Sequence, residues 1–202
     1  MRLHLIILAF LLFILAGCTA LPKGPDQRVD LPVQLARLER LEHWSLSGKM
    51  AVRNGKEAVS ASLNWKTDGS DFGFRLTNML GITLADLDVN QDGAVLEADG
   101  ERYEDTDPNR LIASVTGLDI PLSRLLSWIK GLPRQDDQYV LNEAGLVSTL
   151  SPRCADCDGW QVDYDNYGNA GSDIWLPHTI TLRQTTAQAM LIKIRIYEWT
   201  LP

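Results

Sequence analysis

The sequence predicts a mainly β protein with helices: an incomplete antiparallel β-barrel of about eleven strands covered by a helical lid. Three observations lead there. Apolar and polar residues alternate in a succession of short runs, from Trp44-Leu46-Gly48-Met50-Val52 to Met190-Ile192-Ile194-Ile196. Turn residues join most of these runs as hairpins, at Asn54-Gly55, Asp68-Gly69, Asn90 to Gly93 and Asp99-Gly100. Helical spacing is confined to the start and the middle of the domain. An antiparallel sheet of this size curls or closes to protect its edges, and the helices are available to cover its open side.

The chain opens with Arg2, an apolar run from Leu3 to Leu15 and a small-residue exit, which together describe a secretory signal peptide. The run is shorter than the ~20 residues a spanning helix needs. Leu15-Ala16-Gly17-Cys18 resembles the lipobox of bacterial lipoproteins. That resemblance implies that Cys18 is acylated and becomes the new N-terminus. Residues 1–17 then read as signal peptide, 18–29 as a lipidated tether with Pro22, Gly24 and Pro25, and 30–202 as one domain. Thr19 stands where an Asp marks inner-membrane retention in many Gram-negative bacteria, so the outer membrane is favoured.

Of the 202 residues, 19 are basic and 26 acidic; losing Arg2 leaves 18 against 26, a net charge of −8. Such a domain is a poor nucleic-acid binder, because phosphate contacts need clustered Lys and Arg. With Cys18 lipidated, Cys154 and Cys157 remain in the polar turn Arg153 to Gly159. A secreted protein meets an oxidising compartment. A disulfide staple is favoured over thiol catalysis, since a strand rather than a helix follows the pair.

Asp30 caps a first helix, with Pro32 in its first turn and Leu31, Leu35, Leu38 and Leu41 on one face. Strands follow from Trp44, from Val59 to Trp65, from Phe72 to Leu76 and from Ile82 to Val89. Thr77-Asn78-Met79-Leu80-Gly81 interrupts them, placing two large apolar residues between turn formers. A short hairpin spans Ala94 to Asp105. Asp107-Pro108 starts a second helix that Gly117 stops. After Pro121 a short helix crowded with Leu122, Leu125, Leu126, Trp128 and Ile129 reads as deeply buried. Strands resume at Tyr139–Asn142, Leu146–Ser151, Trp160–Tyr167, Leu176–Arg183 and Ala189–Trp199.

No catalytic constellation emerges. His43 and His178 lie in unrelated segments, there is no nucleotide or nucleophile motif, and the acidic residues gather in turns. No metal and no cofactor is expected. The large inward residues fit a sealed core and a cavity for a hydrophobic ligand equally well.

Leu76 to Gly81, Thr116-Gly117-Leu118-Asp119-Ile120-Pro121-Leu122 and Trp128-Ile129-Lys130-Gly131-Leu132-Pro133, behind the lipobox and Pro22-Lys23-Gly24-Pro25, together resemble the LolB family of outer-membrane lipoprotein receptors. The resemblance covers nearly the whole mature chain. It implies a monomeric, non-enzymatic half-barrel with a helical lid. Acylated lipoproteins would come from the periplasmic carrier LolA, enter an apolar cavity and pass to the outer membrane. The candidate cavity wall is Trp44, Leu46, Met50, Leu63, Trp65, Phe72, Phe74, Leu76, Trp128, Ile192 and Ile194. The protruding membrane-insertion loop is Met79 and Leu80, with Leu80 as the delivering leucine; the family pattern has proline where this chain has Met79. Two readings from other classes are a lipocalin-like lipoprotein holding a small apolar ligand and a redox lipoprotein using Cys154 and Cys157.

Overall fold

Helix α1 (Leu31–Arg40) opens the domain, with the Asp30 carboxylate accepting from Val33 N at 3.2 Å. The computed structural model describes residues 21–117, 119–185 and 189–202, so the lipobox and Cys18 lie outside the described residues. From His43 the chain enters an antiparallel meander: β1 (His43–Asn54), β2 (Glu57–Asp68), β3 (Asp71–Thr77), β4 (Thr83–Asn90), β5 (Gly93–Ala98) and β6 (Glu101–Asp105). Two helices follow, α2 (Pro108–Thr116) and α3 (Leu122–Trp128). A second meander returns through β7 (Gln138–Leu141), β8 (Val147–Ser151), β9 (Trp160–Asn169), β10 (Trp175–Gln184) and β11 (Met190–Thr200).

All eleven strands form one open sheet in the order β6-β5-β4-β3-β2-β1-β11-β10-β9-β8-β7. The first and last strands pair at its centre. Its edges, β6 and β7, are consecutive in sequence and joined by α2 and α3, so these helices cross the open side. Side chains of α2 and α3 meet inward residues of β1 to β5 and β11 across the concave face. No helix among the described residues is long and apolar enough to cross a membrane.

Strict alternation along β11 would turn Glu198 inward and Trp199 out. Instead Ser47 pairs with Glu198 and Gly48 with Ile196, leaving Tyr197 as an extra residue. This bulge resets the phase, so Trp199 is buried while Tyr197 and Glu198 are both exposed. Gly48 is required there, because a Cβ would collide with the Arg195 carbonyl oxygen.

Three further expectations are corrected. The β1–β2 turn is Gly55-Lys56, since Asn54 and Glu57 are already register partners. Ile82 belongs to the loop before β4, not to the strand. Within the tether read at residues 18–29, Pro22 and Val29 lie against the domain. Val29 N donates to Ala144 O at 2.8 Å, and a Cβ on Gly168 of β9 would meet Pro22 at 2.8 Å.

Candidate functional site: an apolar cavity and an exposed loop

The concave face is not uniformly filled. Toward β8 to β10 it is closed by its own side chains: Leu150, Val162, Leu176 and Ile180 have no exposure, and Trp128 packs on Trp160 with ring centroids 5.8 Å apart. Lys130 secures this side. Its ammonium donates to the carbonyls of Leu38 at 2.8 Å and Leu41 at 2.9 Å, capping the C-terminus of α1. Burial, with the Arg134 charge adding to it, lowers the Lys130 pKa to about 8.

Toward β1 to β5 a cavity of about 290 Å³ remains under α2 and α3. Seven of the sequence candidates line it: Met50, Leu63, Trp65, Phe74, Leu76, Ile192 and Ile194. The inward parity of neighbouring strands brings them together, as Met50 faces Ile194 across the β1–β11 pair and Trp65 faces Phe74 across β2–β3. The roof is Ile112 and Thr116 of α2, Ile120, and Leu122 and Leu125 of α3. Asn109 Oδ1 accepts from Leu122 N at 2.9 Å, so α2 supplies the cap that α3 lacks and links the two roof helices. The rim is polar at Asn54, Glu57 and Thr116.

Four candidates do not line the cavity. Trp44 lies beyond Trp65, tilted against it (centroids 5.7 Å apart) and edge-on to Trp199 (5.2 Å), forming a plug below the cavity floor. Leu46 and Phe72 are buried toward that same end of the sheet, and Trp128 is wholly buried in the sealed half. Alternation assigns a face correctly but not a position along the strand. The roof residues and the small wall residue Ala85 were not among the candidates. The helical face carrying Ile112 and the crowding at Leu122 and Leu125 were signals for them.

The loop after β3 is built by Asn78. Its side-chain oxygen accepts from Leu80 N at 2.9 Å and Ile82 N at 3.0 Å, while its backbone N–H donates to Ile82 O at 2.9 Å. Gly81 follows at φ 81°, a conformation that favours glycine. The result holds three apolar side chains in water: Met79 is 98 % exposed, Leu80 84 % and Ile82 58 %. The loop leaves β3 in the direction of the β1–β2 hairpin, from a level opposite Ser62 of β2 and five residues short of Glu57, where that hairpin turns and the polar rim lies.

Cys154 and Cys157 form a disulfide in the turn before β9, and the Cys157 side is buried. No group of three or more His, Cys, Asp or Glu among the described residues could hold a metal ion. The indole N–H of Trp65 and the hydroxyl of Tyr164 are buried without a hydrogen-bond partner among the described residues.

The profile of the family described as outer membrane lipoprotein LolB matches residues 42–199. An outer-membrane lipoprotein LolB of Aeromonas hydrophila is 34% identical over 191 residues, covering 94% of this chain and 93% of that one. The one from Vibrio cholerae is 34% identical over 194 residues, covering 94% and 92%. Two solved structures share the fold at low identity. An outer membrane lipoprotein-sorting protein domain from Vibrio parahaemolyticus has a TM-score of 0.59 at 10% identity, covering 85% of this chain and 90% of that one. A LolA superfamily protein from Nitrosomonas europaea has a TM-score of 0.54 at 8% identity, covering 86% and 94%.

Proposed function

Because this chain belongs to the LolB family of outer-membrane lipoproteins, we propose that it takes acylated lipoproteins from the periplasmic carrier LolA and inserts them into the inner leaflet of the outer membrane. Cys18 carries the acyl anchor that holds it there. One observation supports this reading above the others. Three exposed apolar side chains, Met79, Leu80 and Ile82, are held on a loop that leaves β3 toward the hairpin end of the sheet, where exposed Glu57 and Val59 line the apolar cavity. Such a tip has no folding rationale, and exposed apolar patches mark contact surfaces.

Each buried acyl CH₂ is worth roughly 0.8 kcal/mol, so a multiply acylated cargo costs tens of kcal/mol to expose to water. Cargo therefore passes from cavity to cavity and then to the bilayer, with affinity rising at each step. At about 290 Å³ the cavity is small for a ligand site, near the low end of the ~300–1,000 Å³ range. The roof helices move outward to admit the chains. The process involves binding and transfer only, with no covalent step.

Burying one leucine is worth only ~2 kcal/mol. That is too little to anchor a protein but enough to change a delivery rate tenfold or more. In the test, purified protein receives acylated lipoprotein bound to LolA, and cargo is followed first to this protein and then to liposomes. Leu80→Glu is expected to leave uptake near wild type and to slow insertion about tenfold. A wild-type domain that holds apolar ligands but never empties the carrier would be a storage protein instead. Equal loss of uptake and insertion in Leu80→Glu would make Leu80 a part of the binding site rather than a delivery residue.

A further inference from the structure

On the convex side of the sheet, Lys49 and Arg53 of β1 and Lys193 and Arg195 of β11 point outward and are exposed. Lys49 sits in register with Arg195, Ala51 with Lys193 and Arg53 with Leu191, so the four cations occupy neighbouring rungs of one strand pair. Like charges directly opposite each other destabilise a sheet. None of the four has an ion-pair partner among the described residues. Elsewhere on the sheet Arg75 pairs with Asp86, Arg102 with Glu104 and Arg183 with Asp163. A chain with 26 acidic and 19 basic residues thus gathers unneutralised positive charge at the centre of its convex face. Asp165 and Glu198 lie at the borders of the patch.

Two other features share this face. Leu21 and Pro22 lie beside Thr179, Arg195 and Tyr197, in a depression of about 320 Å³. Cys18 precedes Leu21 by three residues, and three residues of chain reach no farther than ~11 Å. The second feature is the exposed loop. Arg195, Lys49, Ser62 and Thr77 fall on one row across β11, β1, β2 and β3, and the loop begins at the next residue, Asn78. At ~4.8 Å per strand, Lys49 lies ~10 Å from Thr77 along that row.

We propose that this basic convex face docks on the anionic phospholipid headgroups of the leaflet that holds the acyl anchor. The proposal rests on reading Cys18 as that anchor. Lipid tethers the protein, and the four charges decide which side of it faces the bilayer. The cavity's concave side is then turned toward the periplasm, and the row that ends at the loop lies along the membrane. The occupant is identified by charge complementarity together with the exit of the tether on the same face.

The test uses the full acylated chain in vesicles of phosphatidylethanolamine, alone or mixed with phosphatidylglycerol. A photocrosslinker replaces Ala51, which lies between Lys49 and Arg53 on the convex face; a control replaces Asp136. Ala51 is expected to crosslink to lipid in the anionic vesicles, and to lose that crosslinking at high salt. Each nearby charge is worth roughly a fivefold change in partitioning, so Lys49→Glu with Arg195→Glu should reduce the signal at least twentyfold. Arg53→Gln with Lys193→Gln is a milder pair that should act in the same direction with an unchanged melting curve. Equal crosslinking in neutral and anionic vesicles, or crosslinking indifferent to both variants, would overturn the proposal. So would a reversal variant that keeps its lipid contact but no longer takes cargo from LolA, because the patch would then serve an acidic protein. Retention on vesicles in high salt reports the Cys18 anchor separately from the patch.

Discussion

The two halves of the one sheet differ in what fills them. Inward residues of β8 to β10 have almost no exposure and meet Trp128 and Trp160 directly. On β1 to β5 Leu63, Trp65, Leu87 and Leu96 are buried as well, but Met50, Phe74, Leu76 and Ala85 stay partly exposed and border empty volume. Both halves carry the same alternation, so the pattern that makes a sheet does not decide whether its concave side is closed. Volume decides. The sealed half receives tryptophans from α3 and β9. The open half receives Ile112, Leu122 and Leu125, which roof it without reaching the strands everywhere. On the proposed function, the sealed half would supply packing and the open half the space for cargo.

The largest expected break in this division is Trp128→Ala. It should cost about 3–5 kcal/mol, whereas Leu76→Ala on the cavity wall should cost less than about 2 kcal/mol because its neighbours already face a void. Paired denaturant titrations measure the difference, and equal costs would mean that the cavity half is as tightly packed as the other.

Lys130 gives the sealed half a pH signature. Its folded-state pKa is lowered to about 8 from 10.5. Below pH 8 both folded and unfolded chains carry the proton and the burial penalty is fully present. As pH rises from 8 to 10.5 the unfolded chain holds the proton that the folded one has released, so this contribution to stability rises, by an order of 3 kcal/mol. Lys130→Met should remove that rise, seen as a wild-type-minus-variant difference that grows across this window. A flat difference would mean that the ammonium is not desolvated.

Replacing Cys154 and Cys157 with Ser opens a short loop at the sealed side, with a stability loss of at most about 2 kcal/mol. Cargo transfer should persist, and its loss in a folded variant would tie the disulfide to the open half. The smallest effect on stability is expected from Ala85→Phe, which fills empty volume and should stay within about 1 kcal/mol of wild type. The same variant should reduce acyl uptake sharply, as measured by transfer from LolA. Normal uptake would place cargo outside this cavity.

Much of this was legible in the chain. Asp30 and Asp107 cap the helices they were expected to cap, because a carboxylate before an apolar helical face has few other uses. The strands emerged from period-two alternation, and the loop from Met79-Leu80 lying between turn formers. What stayed hidden depends on three-dimensional register. Trp44 and Trp65 share a face, yet one plugs the floor and the other lines the cavity. The bulge at Tyr197 left no mark in the apolar pattern short of Trp199. The clustering of Lys49, Arg53, Lys193 and Arg195 required knowing that β1 and β11 are neighbours.

That central pairing also governs how the domain is made. Val52 pairs with Ile192, 192 − 52 = 140 positions later in the chain, and loops of that length make for high contact order and slow folding. Each meander can form its own hairpins early, but neither can join the other before β11 has emerged. A chain arriving across the inner membrane N-terminus first therefore presents two unfinished half-sheets with open β1 and β10 edges until β11 is available to pair with both. Until then it is itself an aggregation-prone client of the compartment in which it works.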